Sequence, residues 1–146
     1  MTLEIRRLKY ADKKEWKGLW SAYIEFYEST IPEEIYQLTF DRLLDPERPQ
    51  QEAFVAEHDG HLVGLVHIIY HAHNWHLEDV CYLQDLYVKP SARGVGVGRA
   101  LIEAVYAVAD GNGTHSVYWL TQNFNETARR LYERVAHLTD FVKYQR

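Results

Sequence analysis

Leu83-Gln84-Asp85-Leu86-Tyr87-Val88-Lys89-Pro90-Ser91-Ala92-Arg93-Gly94-Val95-Gly96-Val97-Gly98-Arg99-Ala100-Leu101 reads as a strand, a glycine-rich turn and the start of a helix. The strand covers Val80 to Val88 and stops at Pro90. The helix runs from Gly98 to about 110, with Leu101, Ile102, Val105 and Val108 on its buried side. In such a turn consecutive backbone N–H groups point outward, and the helix dipole adds partial positive charge. Glycines let phosphate oxygens approach without a Cβ in the way. Arg93 and Arg99 flank the turn, so the stretch is built to hold a pyrophosphate. A Walker loop is excluded, because no Gly-Lys-Ser/Thr follows. A Rossmann fingerprint is excluded too, because Gly94, Gly96 and Gly98 recur every second residue. A bare strand-to-helix connection would not need three glycines in five positions.

Working outward, Leu3 to Leu8 alternates loosely as a short strand. Asp12 is placed to cap a helix over about 12–28, with Trp16, Leu19, Trp20, Tyr23 and Ile24 at helical spacing. Pro32 suits the first turn of a second helix with Ile35, Leu38 and Leu43 on one face. Ala53–Glu57 and Leu62–Tyr70 are strands joined by a turn containing Asp59-Gly60, a hairpin signal. Ser116–Leu120 is a strand, Asn125 to about Ala136 a helix, and Phe141–Tyr144 a closing strand. The order is β-αα-β-β-β-α-β-α-β, an α/β (α+β) domain around a mixed, twisted sheet.

At 146 residues, one domain covering 1–146 is expected. Apolar residues at 47% and charged residues at 25% exclude a disordered chain or a fibre. No apolar run approaches the ~20 residues of a bilayer span, and the N-terminus has no secretory core. Cys81 is alone, so no internal disulfide or zinc spacing exists and a reducing cytoplasmic location is expected. Residues 1–80 hold 15 acids against 8 bases, while 81–146 hold 6 against 8. That split fits a cationic ligand on one half and an anionic one on the other, and an acidic chain argues against nucleic acid.

The Arg93-Gly94-Val95-Gly96-Val97-Gly98 run resembles the Arg/Gln-x-x-Gly-x-Gly/Ala signature of the GNAT N-acetyltransferases. Asp85-Leu86-Tyr87-Val88-Lys89-Pro90 is similar to that family's splayed fourth strand. Asn125-Glu126-Thr127-Ala128-Arg129-Arg130-Leu131-Tyr132 resembles its Asn-x-x-Ala-x-x-Leu-Tyr helix. Val117–Thr121 and Phe141–Arg146 look most like the subgroup with the yeast histone/polyamine acetyltransferase. The resemblance spans nearly the whole chain. It implies direct acetyl transfer from acetyl-CoA to a cationic primary amine, with no metal.

By that resemblance, Leu86, Tyr87 and Val88 offer backbone to the pantetheine arm as an added strand. Arg93, Gly94, Val95, Gly96, Val97, Gly98 and Arg99 hold the pyrophosphate. Asn125 bonds the pantetheine, caps its own helix, or does both. Tyr132 is the catalytic residue, its phenol protonating the leaving thiolate; its other reading is a packed aromatic. The base is open. Relatives carry Glu where this chain has Gln84, and an amide takes no proton. Asp85 faces the opposite side of the strand unless a bulge intervenes, leaving it, Glu78, Asp79 or water.

His67, His71, His73 and His76 are close in sequence but fit no zinc pattern, so a pocket or surface role is expected. Trp20, Tyr23, Phe26, Tyr27 and Tyr36 crowd the first two helices. There Tyr23, Tyr27, Glu25 and Glu28 are suited to a cationic amine. Cys81 lies upstream of the cofactor segment with no His–Asp relay in view, so no covalent intermediate is invoked. The rival is a non-catalytic acyl-CoA sensor of the same fold, which Tyr132 disfavours and Gln84 favours. A homodimer covering the short closing edge at Phe141–Tyr144 is expected.

Overall fold

Asp59 and Gly60 both take positive φ, 51° and 78°, and this two-residue turn closes the hairpin that organises the sheet. The computed structural model describes residues 2–146. The elements run Leu3–Arg7 (β1), Lys13–Phe26 (α1), Glu33–Leu44 (α2), Gln51–His58 (β2), His61–His71 (β3) and Val80–Val88 (β4). Val97–Gly111 (α3), Val117–Tyr118 (β5) and Glu126–Val135 (α4) complete them. The strands stand in the order β1-β2-β3-β4-β5, antiparallel through β4 and parallel between β4 and β5.

Strand alternation sends side chains to two cores, one on each face. Phe54, Val66, Ile68, Tyr70, Cys81 and Leu83 meet α3 through Val97, Leu101, Ile102 and Val105. Leu131, Tyr132 and Val135 of α4 pack on the same core. The other face carries Ala53, Val55 and Leu65 against Trp16, Leu19 and Trp20 of α1 and Phe40 of α2. A Cβ on Gly64 would stand 3.2 Å from Leu101 and 3.0 Å from the Tyr87 carbonyl, so α3 lies this close to the sheet because the residue is glycine.

Three expectations change. Asp12 takes the N-cap position of α1 as expected, but its side chain makes no capping bond to the helix. A short 3₁₀ turn, Tyr10–Asp12, precedes the helix, and the Asp12 carboxylate accepts from the Lys9 N–H at 2.7 Å instead. Arg6 grips the same carboxylate at 2.8 and 2.9 Å and reaches Glu57 at 3.0 Å, so β1, β2 and the start of α1 share one ion-pair network. In α2, Leu38 is exposed and Phe40 takes the buried position, because the inner face runs through Ile35, Tyr36, Phe40 and Leu43.

The third change is the end of the chain. β5 is only two residues long, and Phe141–Tyr144 does not join the sheet. Phe141 and Tyr144 stand 90% and 92% exposed. The tail has no strand neighbour among the described residues, and a strand needs a neighbour for its N–H and C=O groups.

Candidate active site

β5 touches β4 at only two register positions, Cys81–Val117 and Tyr82–Tyr118. From Leu83 to Val88 the β5-facing edge of β4 therefore has no strand neighbour among the described residues, and Arg93 covers only its Val88 end. This is the backbone on which Leu86, Tyr87 and Val88 were expected to act. The side chains of Leu86 and Val88 pack toward the α3 core and that of Tyr87 toward the α1 core. Because Lys89 N–H bonds the Val63 carbonyl, alternation turns the N–H and C=O of Leu86 and Val88 to the free edge and those of Tyr87 to β3, against the expectation for Tyr87.

Beyond Val88 the chain turns into the glycine run. Gly94 and Gly96 have φ of 81° and 89°, in the left-handed region. A Cβ on either would meet nothing within 4 Å, so the space above the turn is open. Gly96 occupies the N-cap of α3 without a capping side chain, and the first helical bond is Ala100 N–H to the Gly96 carbonyl at 3.0 Å. The N–H groups of Val97, Gly98 and Arg99 are thus left without intrahelical acceptors beside the positive end of a 15-residue helix. A pyrophosphate fits this cradle.

The remaining residues of the run divide by role. Val95 is exposed, whereas Val97 is buried in the core. Gly98 answers first to packing, since a Cβ there would come within 3.3 Å of Leu131 on α4. Arg93 folds back, donating from Nε to the Val88 carbonyl at 2.9 Å with its guanidinium over the Tyr87 ring. Arg99 pairs with Glu103 one turn on, at 2.9 Å. Asn125 sits at the N-cap of α4, its Oδ1 accepting from the Ala128 N–H at 3.5 Å and its Nδ2 reaching Thr121 at 3.4 Å.

Tyr132 lies edge-on to Trp119, ring centres 5.4 Å apart. Burial pushes its phenol up to about 12, with a smaller contribution from Tyr27. The hydroxyl therefore keeps its proton at neutral pH.

The decisive local feature is a bulge in β4. His67 pairs with Asp85, yet the next residue, Ile68, pairs with Leu83, so Gln84 is an extra residue with no partner on β3. The bulge leaves Gln84 exposed and turns Asp85 onto the α1 face, where it is buried. Regular alternation would have sent Asp85 into the apolar core beside Leu83. His67 Nδ1 and Asp85 Oδ2 are 2.8 Å apart, and Trp16 Nε1 donates to His67 Nε2 at 2.9 Å. An indole N–H can only donate, so Nε2 accepts and the imidazole proton sits on Nδ1, facing the carboxylate. Tyr23 faces the other side of Asp85. Burial, then the Asp85 charge, raise its pKa strongly.

This group opens on a cleft of about 340 Å³ between α2 and the sheet, with His67, Gln84 and Asp85 in its wall. Tyr23 and Tyr27 stand edge to face at 5.0 Å, and neither is among the residues that line the cleft. Glu25 and Glu28 are exposed, and Glu78 and Asp79 stay outside the cleft. The histidines are dispersed. His67 is buried, His71 meets the Tyr118 hydroxyl at 2.8 Å, and His73 and His76 lie against each other near the surface. No group of three or more metal-ligating side chains occurs among the described residues. No helix among them is long and apolar enough to cross a membrane.

Reading from sequence missed Trp16 as a donor, His67 as the partner of Asp85, and Arg42 as a cleft residue. One signal was present. Cys81 and Leu83 keep a spacing of two, as do Leu86 and Val88, but the step between Leu83 and Leu86 is three.

Comparison with known proteins fits this geometry. Over 143 residues, 97% of this chain and 89% of the other, it is 40% identical to D-amino-acid N-acetyltransferase HPA3 of Saccharomyces cerevisiae. It is 28% identical to the uncharacterized N-acetyltransferase YhfO of Bacillus subtilis, over 97% of this chain and 95% of that one. Its fold superposes on that of the aminoglycoside N-acetyltransferase AAC(6')-Iy in complex with CoA. The TM-score is 0.85 at 21% identity, covering 99% of this chain and 94% of that one. The family model for the acetyltransferase (GNAT) family matches residues 16–137. With the open β4 edge, the cradle and the α4 helix all inside that match, the chain belongs to the acetyltransferase (GNAT) family and is an N-acetyltransferase.

Proposed function

We propose that the protein moves an acetyl group from acetyl-CoA directly to the primary amine of a small molecule. The observation that carries this reading is the continuity of the parts. The open edge of β4 leads at one end to the left-handed Gly94–Gly96 turn and at the other to the Asp85 cleft. In this reading the backbone of Leu86 and Val88 lies along the pantetheine arm. Backbone N–H groups from Arg93 to Arg99 take the pyrophosphate, and Asn125 steadies the arm from α4. Acetyl-CoA supplies the activated acyl group.

The amine arrives as an ammonium ion and must lose a proton before it attacks. Asp85, turned inward by the bulge, is the carboxylate at hand, and Gln84 need not be one. Attack of the neutral amine on the thioester carbonyl forms the C–N bond; as the C–S bond breaks, the nitrogen loses its second proton to solvent, to which Asp85 also releases the first. Tyr132 gives its proton to the departing sulfur and recovers one from solvent. Cys81 is fully buried and its thiol is pushed up to about 12 by burial, which supports direct transfer over a covalent relay. The lone reduced thiol suits a cytoplasmic enzyme. The 40% identity to an enzyme named for D-amino acids favours a small acceptor over a protein lysine.

Release of free CoA from acetyl-CoA over a panel of amino acids, polyamines, aminoglycosides and lysine peptides tests the reading. Amine-dependent release with a matching acetylated product is expected. Release that no amine accelerates would overturn it.

A further inference from the structure

We propose that the cleft is built for a zwitterion: the acceptor is a free amino acid with an apolar side chain, its amine at Asp85 and its carboxylate at Arg42. The inference rests on the reading of the protein as a small-amine acetyltransferase, and it names the acceptor class and the residue that selects it.

Apart from the singly protonated His67, Arg42 and Asp85 are the charged side chains in the cleft wall. They have opposite sign and come from opposite sides, Arg42 from α2 and Asp85 from β4. Asp85 is already oriented by His67 and flanked by Tyr23. Arg42 is not committed. It is half-buried and makes no ion pair among the described residues. The carboxylates near it in sequence have other partners. Asp41 accepts from Gln37 at 2.8 Å, and Asp45 accepts from the Glu47 N–H at 2.9 Å. A half-buried guanidinium with no counter-charge calls for an anion, and a carboxylate matches its fork of donors.

A second donor stands in the same wall. Trp20 is buried, and its indole N–H has no acceptor within the protein. A buried donor without a partner is uncommon and points to a group that arrives from outside. Between these polar ends the wall is apolar, through Ile31, Ile35, Leu43 and Ile69. That is room for an aliphatic or aromatic side chain.

The arrangement also rejects. A polyamine would bring a second ammonium toward Arg42, and a lysine side chain would bring no carboxylate at all. Both leave the guanidinium either opposed or unpaired, which is how a site discriminates.

The test compares D- and L-leucine with the leucinamide of the same hand and with 3-methylbutylamine, which lacks the carboxylate. Wild-type protein should acetylate at least one leucine enantiomer with kcat/KM ~10–100-fold above its amide and the amine, the usual range for a charge-assisted contact. Arg42→Met should bring that ratio to near one, and Arg42→Lys should restore part of it. A wild-type enzyme that treats the acid and amide alike, or a ratio unmoved in Arg42→Met, would overturn the proposal. If no amine is acetylated, the acetyltransferase reading fails separately. Calorimetry on the CoA-loaded protein then decides the site. Leucine binding that exceeds leucinamide binding and is lost in Arg42→Met supports it, and equal binding of the two overturns it.

Discussion

Trp16 and His67 meet through one hydrogen bond, 2.9 Å from the indole nitrogen to Nε2, and that bond decides which side of the imidazole carries the proton. The proton is thereby aimed at Asp85 from a helix on the far side of the residue. Trp16→Phe keeps an aromatic ring in the core and deletes the donor. Losing one partner of a buried hydrogen bond costs ~1–3 kcal/mol, so the urea midpoint should fall accordingly. Turnover should fall as well, because the imidazole is free to flip and release Asp85. A variant with unchanged kcat would show that Asp85 does not depend on the tautomer.

Tyr132→Phe leaves the contact with Trp119 and removes only the hydroxyl. General acid catalysis is worth ~10²–10⁴-fold, and kcat should drop by about that factor while acetyl-CoA affinity changes little. Wild-type turnover in this variant would leave protonation of the thiolate to water.

Gly96→Glu tests the cradle. Its Cβ meets no protein atom, so the fold survives at a cost of roughly 1–2 kcal/mol for a left-handed non-glycine residue. The side chain fills the open space above the turn with bulk and negative charge. Calorimetric affinity for acetyl-CoA should collapse, and an unchanged value in a folded variant would refute the pyrophosphate assignment.

Alkali should unfold the protein early. Tyr23, Tyr70, Tyr82, Tyr106, Tyr118 and Tyr132 all have raised phenol pKa values, chiefly from burial, and so does the Cys81 thiol. For such groups the folded state holds its protons longer than the unfolded chain. Their contribution is complete below the unfolded values of 9.0 for cysteine and 10.0 for tyrosine, and is lost as pH rises through the raised folded values, about 12 for Cys81 and Tyr132. Denaturant midpoints should be flat up to pH 9 and fall steeply above it. A flat profile to pH 11 would contradict the burial of these hydroxyls.

The exposed tail should hold two copies together. Leu138, Phe141, Val142 and Tyr144 are too apolar to stand alone in water, and the sheet stops at the two-residue β5. Light scattering at micromolar concentration should give twice the chain mass, and removal of 137–146 should give the monomer. A monomeric mass for residues 1–146 would leave the tail without a partner.

Most of the framework was readable because its signals are local. Asp59-Gly60 marks a hairpin, three alternating glycines mark a cradle, and the spacing of Leu101, Ile102 and Val105 marks a helix face. The acceptor side was opaque because it depends on long-range relations. Trp16 looks like any core tryptophan until His67, 51 positions away, comes within reach. Arg42 is one base in an acidic stretch until α2 lies across the sheet. The face of Asp85 follows a rule of two unless a bulge intervenes, and only the pairing with β3 reveals the extra residue that reverses it. The closing strand failed for a related reason. Phe141–Tyr144 has strand composition, but composition does not supply a neighbour.

The sheet separates two cores, with the glycine cradle rooted in the α3 side and the cleft in the α1–α2 side. A change on α2 is felt by whatever enters the cleft and hardly at all by the turn that would grip the diphosphate. If the cleft takes the acceptor and the turn the donor, as proposed, acceptor choice should be alterable in a single helical layer with the donor machinery left intact. A swap of residues 32–45 between two such enzymes should carry preference with it as a portable unit.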